Sequence, residues 1–76
     1  MVYYLFYTTE NGTQDTKIFT QNRTALSKEI RKYMEKMCYS SIDRRLRNIN
    51  TEITKCKTQR TGYVKYDNMV IALSKI

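Results

Sequence analysis

A chain of 76 residues with fourteen Lys and Arg, seven Asp and Glu and no histidine is short of groups that move protons near neutral pH and rich in groups that hold anions. The length excludes a second domain, so residues 1–76 read as a single small domain that can bury only roughly 60 per cent of its unfolded surface. Hydrophobic content of 41% against charged content of 28% excludes a disordered chain in spite of the net charge of +7.

The charge is uneven. Residues 1–22 carry a net charge of −1 and residues 23–76 a net charge of +8. Val2-Tyr3-Tyr4-Leu5-Phe6-Tyr7 follows Met1 with no basic leader, so no secretory signal is predicted. No stretch approaches the ~20 apolar residues of a membrane span. These features predict a cytoplasmic protein without membrane partners. Cys38 and Cys56 then read as free thiols, and two cysteines cannot enclose a zinc. Lys, Asn, Ile and Tyr, all written with AT-rich codons, make up 27 of the 76 residues. That flavour suits a short reading frame of a bacteriophage or mobile element, which would act in the host-cell cytoplasm.

Val2–Thr9 and Gln14–Thr20 are β-rich runs around Glu10-Asn11-Gly12-Thr13, and Asn-Gly supplies the positive φ angles of a tight hairpin turn. A two-residue turn with regular pairing sets Leu5 against Ile18 and Tyr4 against Phe19. One face then holds Tyr3, Leu5, Tyr7 and Ile18, and the other Val2, Tyr4, Phe6 and Phe19. Both faces are apolar.

From about 24 to 38 the period becomes helical. Leu26, Ile30, Tyr33, Met34 and Met37 draw one stripe, and Lys28, Lys32 and Lys36 line the opposite side. Asn22 or Thr24 can cap the start. Residues 41–56 admit both helix and strand. Ile42, Leu46, Ile49, Ile53 and Cys56 keep helical spacing, and Ser40 with Asp43 resembles a capped start, whereas Asn48, Asn50, Thr51 and Thr54 are poor helix formers. The composition predicts a short second helix near 42–49 and a Thr-rich strand near 51–58. After Gln59–Gly62, strands follow at Tyr63–Tyr66 and, past Asp67-Asn68, at Met69–Ser74, the last apolar on both sides. The predicted class is α+β, with an N-terminal hairpin, one long amphipathic helix, a short second helix and two or three antiparallel strands packed on the helix.

A single helical layer covers one sheet face only, which leaves either Tyr3 with Tyr7 or Tyr4 with Phe6 on the uncovered side. Tyrosines on a rigid sheet suit base stacking or protein contact, and equally a core or a homodimer interface burying about 800 Å² per partner. The second candidate binding group is basic. Arg44, Arg45, Arg47, Lys55, Lys57 and Arg60, with Glu52 alone opposing them, can attract phosphates or form a solvated face. No paired carboxylates, His-assisted thiol or Gly-rich loop is visible, and no cofactor is implied.

The run Lys55-Cys56-Lys57-Thr58-Gln59-Arg60-Thr61-Gly62-Tyr63-Val64-Lys65-Tyr66, followed by Met69-Val70-Ile71-Ala72-Leu73, resembles the Lys-x-Lys, Arg and Gly-Tyr strand region of RelE-type ribosome-dependent messenger-RNA interferases. The resemblance implies a small basic toxin in which Lys55, Lys57, Arg60 and Tyr63 activate a ribose hydroxyl and hold the scissile phosphate. Those toxins place a single strand before their helices and end in a basic, tyrosine-containing tail, whereas this sequence opens on a hairpin.

The leading expectation is a non-enzymatic binding protein that occupies a surface of a nucleic-acid-processing or defence complex, in the manner of an anti-CRISPR inhibitor. Its partner is then a host protein or ribonucleoprotein, with aromatic side chains at the centre of the contact and the basic cluster at its rim. The alternative is a regulator that binds DNA or RNA directly. The RelE-like ribonuclease is the third reading.

Overall fold

A computed structural model describes residues 1–56 and 61–75. Strands β1 (Val2–Glu10) and β2 (Thr13–Thr20) precede helices α1 (Arg23–Lys36) and α2 (Ile42–Lys55), and strands β3 (Thr61–Tyr66) and β4 (Met69–Lys75) follow. The fold is α+β, as the sequence predicts. All neighbouring strands are antiparallel, in the order β2-β1-β4-β3. The first and last strands therefore pair at the centre, from Val2 opposite Lys75 to Thr8 opposite Met69.

Asn11 (φ 53°) and Gly12 (φ 75°) form the two-residue turn of the first hairpin. The register does not stay regular. Tyr7 pairs with Thr16, but Phe6 pairs with Ile18 and Leu5 with Phe19, so Lys17 is an extra residue in β2. This β-bulge overturns the predicted faces of β2, because one extra residue exchanges the sides of everything beyond it. Ile18 packs with the core and Phe19 moves to the opposite side, 62% exposed. Two adjacent apolar residues, Ile18 and Phe19, conceal such a shift in a sequence pattern.

Helix α1 is capped as expected. The Asn22 side chain accepts hydrogen bonds from the backbone N–H groups of Thr24 (2.9 Å) and Ala25 (3.2 Å). The helix ends in a Schellman arrangement. Cys38 takes a left-handed conformation (φ 59°), Tyr39 N–H donates to Met34 O and Cys38 N–H to Glu35 O.

Helix α2 corrects the prediction of a short helix and a Thr-rich strand, since residues 42–55 are one continuous helix. Tertiary contacts supply what propensity lacks. Leu46, Ile49 and Ile53 are buried, and Arg23 of α1 donates to Asn50 O at 2.7 Å and to Thr54 Oγ1 at 2.9 Å. The predicted capped start is also corrected: Ser41 is left-handed (φ 52°) and makes no side-chain cap. Residues 57–58 of the predicted strand lie outside the described residues.

Both helices pack on one side of the sheet. Tyr4, Phe6, Leu26, Ile30, Met34, Ile49, Ile53, Met69, Ile71 and Leu73 form the core, with Tyr33 and Leu46 at its border. Tyr33 sets its ring edge-on to Phe6 (centroids 6.1 Å apart) and donates its hydroxyl to Glu10 Oε1 at 2.7 Å. Burial, reinforced by the Glu10 hydrogen bond, pushes the Tyr33 hydroxyl from 10.0 up to about 12. The folded state thus prefers the protonated phenol. Its contribution to stability is complete below pH 10.0 and is lost as pH rises towards about 12.

Phe6→Ala should cost about 3–5 kcal/mol of unfolding free energy, a large part of the 5–15 kcal/mol typical of a domain. Urea unfolding monitored by circular dichroism measures it. Tyr33→Phe should flatten the alkaline loss of stability, read as the difference in urea midpoint between about pH 9 and about pH 11. An unchanged difference would show that Tyr33 does not carry that titration. Tyr39, raised in the same direction by burial and its bond to Asp67, acts in the same sense.

Candidate interaction surfaces

Among the described residues, Tyr3 and Tyr7 of the aromatic group and Arg44, Arg45, Arg47 and Lys55 of the basic group sit on different sides of the sheet. The predicted contact, aromatic at its centre and cationic at its rim, is therefore not one surface.

Pleat alternation and the bulge decide the aromatic group. Tyr4 (4% exposed) and Phe6 (0%) lie beneath the helices. This corrects their place among the candidate binding residues, since both face α1 and α2 and belong to the core. Tyr3 and Tyr7 point the other way and are half-buried. Leu5, Phe19, Val70, Ala72 and Tyr63 share that open face, as cross-strand pairing shows: Leu5 opposes Phe19 and Ala72, Tyr7 opposes Val70, and Ala72 opposes Tyr63. Tyr3 stacks on Phe19 with centroids 5.4 Å apart and planes within 6°. Pattern reasoning missed Phe19 because of the bulge, and missed Tyr63 as a surface group although its alternation with Gly62 and Val64 carried the signal.

The basic group divides into structural and unengaged members. Arg45 is half-buried, donates from Nε to Ser40 O (2.6 Å) and from a terminal nitrogen to the Tyr66 hydroxyl, and lies over the rings of Tyr39 (5.4 Å) and Tyr66 (6.0 Å). It fastens the start of α2, where a side-chain cap is missing, to the β3–β4 hairpin. Lys55 pairs with Glu52 at 3.2 Å across one turn, in the open. The Arg44 and Arg47 side chains are exposed and have no hydrogen bond or ion pair among the described residues. Lys57 and Arg60 lie outside the described residues.

At about 100° per residue, Arg44, Arg47, Thr51 and Lys55 fall within one narrow stripe opposite the buried Leu46, Ile49 and Ile53. Arg47 and Lys55 border a shallow depression completed by Asn50, Thr51 and Thr54. Lys28, Lys32 and Lys36 occupy the corresponding outward side of α1. The two helices hold nine cations and four carboxylates, a net of +5 out of the chain's +7. Arg31 and Asp43 spend one pair on each other between the helices. The outer face of the helical layer is thus the cationic side of the protein.

Of the four groups implied by the RelE-type resemblance, Lys55 and Tyr63 alone fall among the described residues. Lys55 ends α2 on the helical side, and Tyr63 stands on the open face of β3. No helix among the described residues is long and apolar enough to cross a membrane.

Arg45→Ala should lower the unfolding free energy by about 1–3 kcal/mol, because it strands polar partners and removes two ring contacts. Arg44→Ala, one residue away and unengaged, should stay within about 0.5 kcal/mol. Equal effects in thermal unfolding would contradict this division of the cluster. Comparison with family models gives no match, and neither do comparisons with curated proteins and solved structures.

Proposed function

We propose that the protein is a non-enzymatic binding protein that attaches through the cationic outer face of its two helices to the phosphate backbone of a nucleic acid, free or held in a nucleic-acid-processing complex, and acts by occupying that surface. What supports the reading is a set of cations on one layer whose side chains make no hydrogen bond or ion pair among the described residues: Arg44 and Arg47 on α2, and Lys28, Lys32 and Lys36 on α1, with Lys36 alone acting on Asp15 of β2 at longer range. Cations that fasten the fold, such as Arg23 and Arg45, are spent on protein partners. Those left over lie on the exposed sides of the two helices, with Lys32 and Lys36 turned toward Lys17 at the β2 edge.

Electrostatic attachment of this kind reads charge spacing and not base identity, because phosphate contacts position a protein without carrying sequence information. Base stacking on the open sheet face fits less well. Platforms for single strands combine aromatic rings with cations that track the backbone, and Lys65 is the only charged side chain that strand alternation places on that face among the described residues. Occlusion of a defence or replication complex, as in anti-CRISPR inhibition, is a biological use that such a surface serves.

A mobility-shift titration of duplex DNA, single-stranded DNA and RNA at about 50 mM and about 200 mM salt tests the attachment. About five phosphate contacts should weaken binding by roughly 10²–10³-fold across that range. Replacing Arg44, Arg47 and Lys32 together by Ala should reduce the slope of log affinity against log salt by about three. No shift at the lower salt, or a slope untouched by the triple replacement, would overturn the reading.

A further inference from the structure

The open face of the sheet has an apolar centre, carries Lys65 as its one charged side chain and is backed by no helix among the described residues. Its two most exposed rings, Phe19 at 62% and Tyr63 at 69%, leave roughly 260 Å² in the open, taking about 200 Å² for each aromatic side chain. The half-buried Tyr3, Leu5 and Tyr7 beside them add at most about 220 Å² on the same scale, so the exposed polar rim of Thr16, Thr61 and Lys65 has to complete the roughly 600–1,000 Å² that a standard interface takes from each partner.

We propose that this face is a two-fold interface between two copies of the chain, with β1 of each copy lying across β4 of the other. The register itself carries the argument. Phe19, Leu5, Ala72 and Tyr63 form one row across β2, β1, β4 and β3. A two-fold axis parallel to the strands, midway between β1 and β4, reverses that row onto itself. Leu5 then meets the partner's Ala72, and Phe19 meets the partner's Tyr63.

The neighbouring rows obey the same rule. Tyr3 opposes Ser74 within the sheet and Tyr7 opposes Val70, so the axis sets each large β1 residue over a smaller β4 residue of the other copy. The surface already has this relief. A shallow trough lies over Ala72, bordered by Tyr7 and Tyr63, where the partner's Leu5 would enter. Sheets packed this way stand about 10 Å apart with strands within about 30° of each other, which keeps the Phe19 and Tyr63 rings within reach.

Charge and edge chemistry favour a second copy over other occupants. Most of the +7 charge lies on the helices, at the far side of each copy, so face-to-face closure brings no cationic surfaces together. Lys65, in the row of Tyr7 and Val70, would meet the partner's Thr16 at the rim. Edge-to-edge pairing is opposed at β2 by its bulge and its polar run Thr13-Gln14-Asp15-Thr16-Lys17. The inference is independent of the phosphate reading, which concerns the opposite face.

Light scattering coupled to size exclusion tests it. At about 100 µM the protein should have twice its 9.1 kDa chain mass, and Ala72→Glu should return the single-chain mass with an unchanged far-ultraviolet dichroism spectrum. A variant that loses its spectrum is replaced by a cross-link. In a Cys38→Ser, Cys56→Ala background, a mixture of Phe19→Cys and Tyr63→Cys chains should oxidise to a disulfide-linked pair at least tenfold faster than either alone. A single-chain mass for the unaltered protein, a dimer that survives Ala72→Glu, or equal rates for mixed and unmixed chains would each overturn the proposal.

Discussion

Two helices of fourteen residues each, laid side by side, cover one face of a four-stranded sheet and leave nothing for the other. Each helix is about 21 Å long and about 10 Å wide, and four strands at about 4.8 Å span about 19 Å. The roof matches the floor beneath it, so the covered side becomes a closed core with Phe6, Leu26, Ile30, Met34 and Met69 at 0% exposure. Every remaining feature follows from that single-sided arrangement. Apolar residues of alternate phase on β1 and β4 have no helix to meet, and helical residues opposite the core have only solvent.

Charge follows the same geometry. The Glu10 carboxylate receives the Tyr33 hydroxyl, and Lys17 is turned by the bulge over the Tyr33 ring at 5.6 Å. Arg23 and Arg45 reach across elements and hold the helical pair to itself and to the second hairpin. Such cations cannot serve a ligand without loosening the fold. The Lys and Arg residues on the outer helical sides carry no such duty, and a surface cation without a structural partner is free to meet an anion.

Strand and helix types were readable wherever the local pattern and the tertiary environment agree. Asn11-Gly12 forces a two-residue turn, and the stripe Leu26, Ile30, Tyr33 and Met34 fixes which side of α1 is buried. Two features escaped the pattern for definable reasons. The bulge at Lys17 exchanges Ile18 and Phe19, both apolar, so composition is indifferent to which of them faces the helices. The second half of α2 contains Asn and Thr residues that oppose a helix locally, and it is held by a guanidinium from 27 and 31 positions earlier in the chain. No window along α2 contains that information. The candidate surfaces were legible as residue types, but their separation onto opposite sides depends on the packing of both helices against the same face.

That separation leaves the two surfaces independent of each other. The molecule is only 18 Å through its thinnest dimension, yet the open sheet face and the cationic helical face share no side chain, so occupancy of one does not obstruct the other. In a pair closed sheet to sheet, the helical layers become the two outer surfaces, each with its own row of unengaged cations. Both layers would then present phosphate-binding charge in opposite directions. Once one face is attached, the second meets any nearby strand at a raised effective concentration, which multiplies weak contacts without adding a new one. A domain this small, able to bury only roughly 60 per cent of its surface alone, thereby gains from its uncovered side both a larger apolar core and a second point of attachment.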